Sequence, residues 1–130
     1  MSDTDRVQGR HRALRPLAML ETRVVGVLVE KERTVADTYP LTLNALVAGC
    51  NQKNNRHPVL HVGDADVLAA VDALRALLLV IESSGGRVMR YSQNLKRVLQ
   101  VPTESVALLA TLMLRGPQTA AELRMNSERL

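Results

Sequence analysis

The paired glycines of Ser83-Ser84-Gly85-Gly86 constrain this chain most, because of what stands on either side of them. Leu79-Val80-Ile81-Glu82 and Arg87-Val88-Met89-Arg90-Tyr91 are short β-prone runs. A glycine pair between two such runs supplies the positive φ that a tight hairpin turn needs. What precedes the hairpin reads as helix. The chain contains no Phe and no Trp, and only Tyr39 and Tyr91 are aromatic. Its core must come from Leu, Val, Ala, Ile and Met, which suit packed helices better than a β-sandwich.

Three helical stretches lead up to the hairpin. From Pro16 to Lys31, Leu17, Leu20, Val24, Val27, Leu28 and Lys31 recur at helical spacing, leaving Glu21, Arg23 and Glu30 on the wetter side. Gly26 allows a close helix crossing there. After a connection over Glu32 to Pro40, Thr42 caps a second helix running to Gln52, with Leu43, Leu46, Val47 and Cys50 facing inward. Asn51 to Pro58 is a polar loop, and Val59 to Val62 a short extended piece. Asp64 caps a third helix that reaches Leu78, with Val67, Leu68, Val71, Leu74, Leu77 and Leu78 as its apolar stripe. Helix, helix, helix, hairpin is the order of a winged helix-turn-helix domain. The expected fold class is therefore mainly α with a small β-hairpin.

The rest of the chain begins the same pattern again. Leu20, Val24, Val25, Leu28 and Val29 correspond at constant offset to Glu104, Leu108, Leu109, Leu112 and Met113. Thr42-Leu43-Asn44-Ala45-Leu46 resembles Thr119-Ala120-Ala121-Glu122-Leu123. The expected organisation is a flexible basic arm over 1–16, a first winged-helix domain over 17–92, a linker over 93–102, and an incomplete second winged-helix unit over 103–130. The arm carries Arg6, Arg10, Arg12 and Arg15 against Asp3 and Asp5, with no apolar periodicity.

Charge distribution points to a partner. The formal net charge is +4. No acid falls between Asp37 and Asp64, nor between Glu82 and Glu104. The first window ends the second helix in Asn51-Gln52-Lys53-Asn54-Asn55-Arg56, and the second holds Arg87, Arg90, Lys96 and Arg97. Asn and Gln can pair bidentately with adenine, and Lys and Arg with guanine or phosphate. A basic hairpin can follow a DNA backbone or enter the minor groove. The candidate nucleic-acid site is thus Gln52, Lys53, Asn54, Arg56, Arg87, Arg90, Lys96 and Arg97. Lys53, Arg56, Arg87 and Arg90 would hold phosphates, and Gln52 and Asn54 would read base edges. The plainer alternative is that the amides cap the second helix and its loop, and that the hairpin charges guard edge strands. The third helix points the other way. Its outer face, read as Asp66, Ala69, Ala70, Asp72, Ala73 and Ala76, would repel phosphate and let another helix approach closely.

Other classes find little support. A single cysteine, Cys50, cannot form an internal disulfide, which suits a reducing compartment. The apolar run Ala76 to Ile81 is too short to span a bilayer, and the N-terminus lacks the apolar core of a signal peptide. The expected location is cytoplasmic, with no membrane partner. Cys50, His57 and His61 offer three metal ligands without a fourth, and Cys50 falls on an apolar helix face. No metal, cofactor or small-molecule ligand is inferred. No Ser-His-Asp grouping, phosphate-cradling loop or carboxylate pair can be assembled, so an enzyme is not expected.

Several of these motifs carry a family resemblance. Glu30-Lys31-Glu32, Tyr39-Pro40-Leu41 with Leu43-Asn44-Ala45-Leu46, Cys50-Asn51-Gln52-Lys53 with Asn55-Arg56 and Pro58-Val59, Ser84-Gly85-Gly86-Arg87-Val88 with Tyr91, and Leu114-Arg115-Gly116-Pro117-Gln118-Thr119 with Glu122-Leu123-Arg124 resemble the YceH family of bacterial proteins. The match runs over about residues 17 to 130. It implies tandem winged-helix domains and implies little about function. His57 stands where that family often has an acid, and Leu78 replaces the glycine usual before the hairpin. The functional expectation is a non-enzymatic nucleic-acid-binding protein, with double-stranded DNA foremost. The alternative is a winged-helix protein-interaction module, such as a homodimer.

Overall fold

The computed structural model describes residues 15–130. Its elements are α1 (Met19–Thr34), a 3-10 turn (Ala36–Thr38), β1 (Leu41–Thr42), α2 (Leu43–Cys50), α3 (Asp64–Ala76), β2 (Val80–Gly85), β3 (Val88–Gln93), α4 (Leu95–Leu99), α5 (Thr103–Arg115) and α6 (Ala120–Ser127). The chain is mainly helical, with one small antiparallel sheet in the order β1-β3-β2.

Helix α1 is the axis of the molecule. Helices α2 and α3 and strand β3 pack on it, and α5 packs on it as well. It is consequently enclosed on all sides: Val24, Val25, Val27, Leu28 and Val29 are fully buried. This corrects the reading that set Glu21, Arg23 and Glu30 on a wet face, because all three are buried. Each has a dedicated partner, as buried charge requires. Gly26 lies at the crossing with α5, where a Cβ would come within 2.9 Å of Leu114 Cδ2.

Local signals account for most boundaries. Thr42 caps α2 by accepting a hydrogen bond from Ala45 N at 3.2 Å. Gly63, rather than Asp64, is the cap of α3, and Asp66 reaches back to accept from Gly63 N at 3.2 Å. Helix α3 ends with Leu78 N donating to Arg75 O and Leu79 N to Leu74 O, the Schellman pattern. Its left-handed position is occupied by Leu78, at φ 64°.

The hairpin is longer than its β-prone runs suggested. Gly85 pairs with Val88, so the turn is Gly86-Arg87, with Gly86 at φ 88° in the first central position. Paired residues share a face, so Val80, Tyr91 and Leu41 are buried toward the helices while Ile81 and Val88 are exposed. Two elements escaped the sequence reading. β1 is two residues long, and α4 is a single turn within the expected linker that buries Leu95.

Residues 1–14 of the expected basic arm, with Arg6, Arg10 and Arg12, lie outside the described residues. Arg15 is described and is not a free cation. It forms a two-pronged pair with Glu21, at 2.8 and 2.7 Å, and this pairing lowers the Glu21 carboxyl to about 2. No helix among the described residues is long and apolar enough to cross a membrane.

Candidate functional site

The amide-rich segment after α2 is built inward. Asn51 exchanges two hydrogen bonds of 2.8 Å with Val62, tying the start of the loop to its end. From α1, Arg23 donates to Cys50 O at 3.0 Å and Pro58 O at 2.6 Å. Arg56 donates to Gly49 O at 3.0 Å. Two arginines therefore satisfy the last carbonyls of α2, where a helix presents partial negative charge. Asn55, at φ 57°, accepts from Arg115 of α5, and His57 N donates to Leu114 O at 2.8 Å.

At the centre of this arrangement is Glu30. Its two oxygens take Arg56 at 2.6 and 3.0 Å, and Arg129 at 2.6 Å. The Glu30 side chain is 2% exposed and that of Arg56 is 0% exposed. Burial by itself raises the Glu30 pKa, but hydrogen bonds and charge from the two arginines outweigh it and hold the carboxyl at about 2. Arg56 is therefore corrected from phosphate contact to core ion pair. A charge sealed against a carboxylate cannot meet a phosphate without breaking the fold.

Gln52 is also engaged. Its Oε1 accepts from Lys31 Nζ at 2.9 Å, and its Nε2 donates to Asn54 O at 2.9 Å. Lys53 and Asn54 remain exposed. Of the hairpin cations, Arg90 donates to Pro40 O at 3.0 Å and Thr38 O at 3.5 Å, which fastens β3 to the segment before β1. Arg87 is exposed at the turn. Lys96 and Arg97 are exposed on α4, with Lys96 Nζ on Thr103 Oγ1 at 2.8 Å.

The exposed cations are spread along the molecule rather than clustered at one point. Lys53 follows the C-terminus of α2, whereas Val88 and Met89, beside Arg87, border a cleft with Thr42, Leu43 and Asn44 at its N-terminus. Eight helical residues separate those ends by ~12 Å. Strand β3 sets Arg87 and Lys96 at opposite ends of the hairpin, ~20 Å apart.

The outer face of α3 is revised in three places, the first being Ala73, which is half-buried. Ala70 is buried, and Leu68, read as core, is 38% exposed. The exposed residues are Asp64, Ala65, Asp66, Leu68, Ala69, Asp72, Arg75 and Ala76. Arg75 already bridges Asp72 at 3.7 Å and Glu82 at 3.1 Å.

Cys50 is a core thiol, pushed up to about 11 by burial. His57 and His61 are exposed, and no three of His, Cys, Asp and Glu gather among the described residues. The sequence reading missed the residues around Lys96 and Arg97. Gln93, Asn94, Gln100 and Val101 complete an open depression there. The acid-free interval from Glu82 to Glu104 was the available signal, because it spans the whole of that lining.

Residues 17–130 match the family model described as "Protein of unknown function, DUF480". A UPF0502 protein of Cupriavidus necator is 64% identical over 118 residues, covering 91% of this chain and 49% of that protein. One of Leptothrix cholodnii is 67% identical over 116 residues, covering 89% and 52%. One of Methylibium petroleiphilum is 59% identical over 129 residues, covering 99% and 55%. The chain spans about half the length of the curated relatives it matches.

Proposed function

The chain belongs to the DUF480 family, the UPF0502 or YceH proteins, and we propose that it is a non-enzymatic winged-helix module whose third helix meets a protein partner. The winged-helix reading takes residues 17–92 as the first unit and 103–130 as the start of a second. It is supported by the element order α1-β1-α2-α3-β2-β3 and by the sheet order β1-β3-β2.

One observation carries the choice of partner. In a groove-reading winged helix, the element in the position of α3 meets DNA. Here its exposed face presents Asp64, Asp66, Asp72 and Leu68, and Arg75, its single cation, is spent on Asp72 and Glu82. Phosphates would be repelled from such a face. A segment with basic side chains around an apolar contact for Leu68 would be complementary to it.

Nucleic acid, with double-stranded DNA foremost, is the second reading, favoured by the exposure of Lys53, Asn54, Arg87, Lys96 and Arg97. A photocrosslinking residue at exposed Ala69, in cells, separates the two. The module reading expects a discrete protein adduct from Ala69 and none from a crosslinker at Arg124. It also expects duplex binding no tighter than nonspecific, roughly 10⁻⁴–10⁻⁶ M. Tight duplex binding that falls steeply with salt and is abolished by Lys53→Glu with Arg87→Glu would overturn it in favour of DNA.

A further inference from the structure

At the base of the hairpin, where the chain turns from β3 into α4, lies an open surface depression of about 560 Å³, a volume within the range of small-molecule sites. Gln93, Asn94, Lys96, Arg97, Gln100 and Val101 line it. We propose that this depression is a binding site for a small phosphomonoester carried on a compact polar body, such as a nucleotide or a sugar phosphate.

The charge of the lining argues for an anion. It holds two cations and no acid. Lys96 touches a neutral hydroxyl, that of Thr103, so its charge is uncompensated by that bond. Arg97 is exposed and takes no hydrogen-bond or ion-pair partner among the described residues, which leaves its planar fork available. A guanidinium fork and an ammonium lining one depression supply the donors that the oxygens of a phosphate monoester accept. The carboxylate in hydrogen-bond contact with the lining is Glu32, which accepts Gln93 Nε2 at 2.9 Å.

The rest of the lining suits the body of the ligand. Gln93 is a fixed wall: besides Glu32, its Oε1 accepts from Leu95 N at 2.7 Å. Asn94 donates to Leu78 O at 3.0 Å, which leaves its carbonyl oxygen for a ligand donor. Gln100, at φ 55°, reverses the chain after α4 and brings Val101 into the lining as an apolar surface. The inference is independent of the partner assigned to α3.

The test is an NMR titration of the full chain with inorganic phosphate, a nucleoside monophosphate and a hexose 6-phosphate in turn. Saturable binding of at least one phosphomonoester below about 1 mM is expected, with shifts concentrated in Gln93 to Val101. Arg97→Gln, an exposed change, should weaken that binding about tenfold or more. Arg87→Gln removes the same charge at the hairpin tip and should leave it unchanged. Lack of saturation by all three probes at about 10 mM would overturn the proposal. Equal weakening by both variants, or binding only to phosphatidate vesicles, would do the same.

Discussion

Helices α1 and α5 are two copies of one pattern in two environments. At matching positions, Val24 and Leu28 of α1 are fully buried, whereas Leu108 and Leu112 of α5 are 40% and 36% exposed. The difference lies in the neighbours. α1 is covered by α2, α3 and β3 on one side and by α5 on the other; α5 has α1 and its short neighbours α4 and α6. An amphipathic pattern specifies which side of a helix wants cover, but the tertiary structure decides whether it is covered. The copies also differ in chemistry. At the same offset, the fully buried Leu114 of α5 stands where α1 has the buried Glu30. The second copy fills that position with hydrocarbon and the first fills it with an ion-pair centre.

The largest expected effect comes from erasing that contrast. Glu30→Leu gives α1 the side chain of α5 but leaves Arg56 buried beside it without a counter-charge. Removing one partner of a buried pair costs about 3–5 kcal/mol, and urea unfolding should show a loss of that size. A loss below about 1 kcal/mol would mean that Arg56 escapes to water, so that the two positions are interchangeable. Acid gives an independent check. A carboxyl lowered from an ordinary 4.5 to about 2 stabilises the fold fully above the ordinary value, and the contribution fades as pH falls toward 2. Wild-type stability should drop by a few kcal/mol across that interval. Glu30→Gln should flatten the drop, leaving the part due to Glu21, whose carboxyl is also held at about 2.

Paired truncations at the repeat positions sharpen the comparison. Leu28→Ala opens a cavity in a fully buried site and should cost about 2–5 kcal/mol. Leu112→Ala removes a partly exposed side chain from a helix that favours alanine, and should cost about 1 kcal/mol or less. Equal losses would show that α5 is covered in solution, by a second copy or another chain. A thermal shift that grows with protein concentration in the wild type alone would identify the second copy.

These contrasts also mark what could be read in advance. The Thr42 cap, the helical spacing in α1, the glycine turn and the repeat are local signals, complete within a few residues. The partners of Arg23, Glu30 and Arg56 are not local. Arg56 lies 26 residues from Glu30, and Arg23 lies 27 from the Cys50 carbonyl it satisfies. Nothing in the immediate neighbourhood of an arginine distinguishes one that holds a helix end from one that faces water. The run Asn51 to Arg56 therefore read as an outward rim, and most of it is an inward clamp. Short elements were lost for a different reason. A two-residue β1 and a five-residue α4 show too little of any period to register, although Leu41 and Leu95 are core residues.

Leu78 is the reverse case, a local feature whose consequence could be read from type alone, and it yields the smallest expected effect. The Schellman end of α3 needs one left-handed residue, and glycine adopts that conformation without the Cβ clash that costs an L-residue roughly 1–2 kcal/mol. Leu78 holds φ 64° there, with its side chain 67% exposed, so burial returns little of that strain. Leu78→Gly should raise stability by about 1 kcal/mol, the gain being trimmed by the greater freedom of glycine in the unfolded chain. Gly116, which ends α5, is also at positive φ, 79°, but α5 repeats α1 rather than α3, and its ψ of −166° is not the left-handed conformation of Leu78. That region is essentially reserved for glycine, so Gly116→Leu should lose more than Leu78→Gly gains. If Leu78→Gly is instead destabilising, the exposed leucine makes a contact in solution that outweighs its backbone strain. The strained position would then be a point of attachment rather than a defect in the helix end.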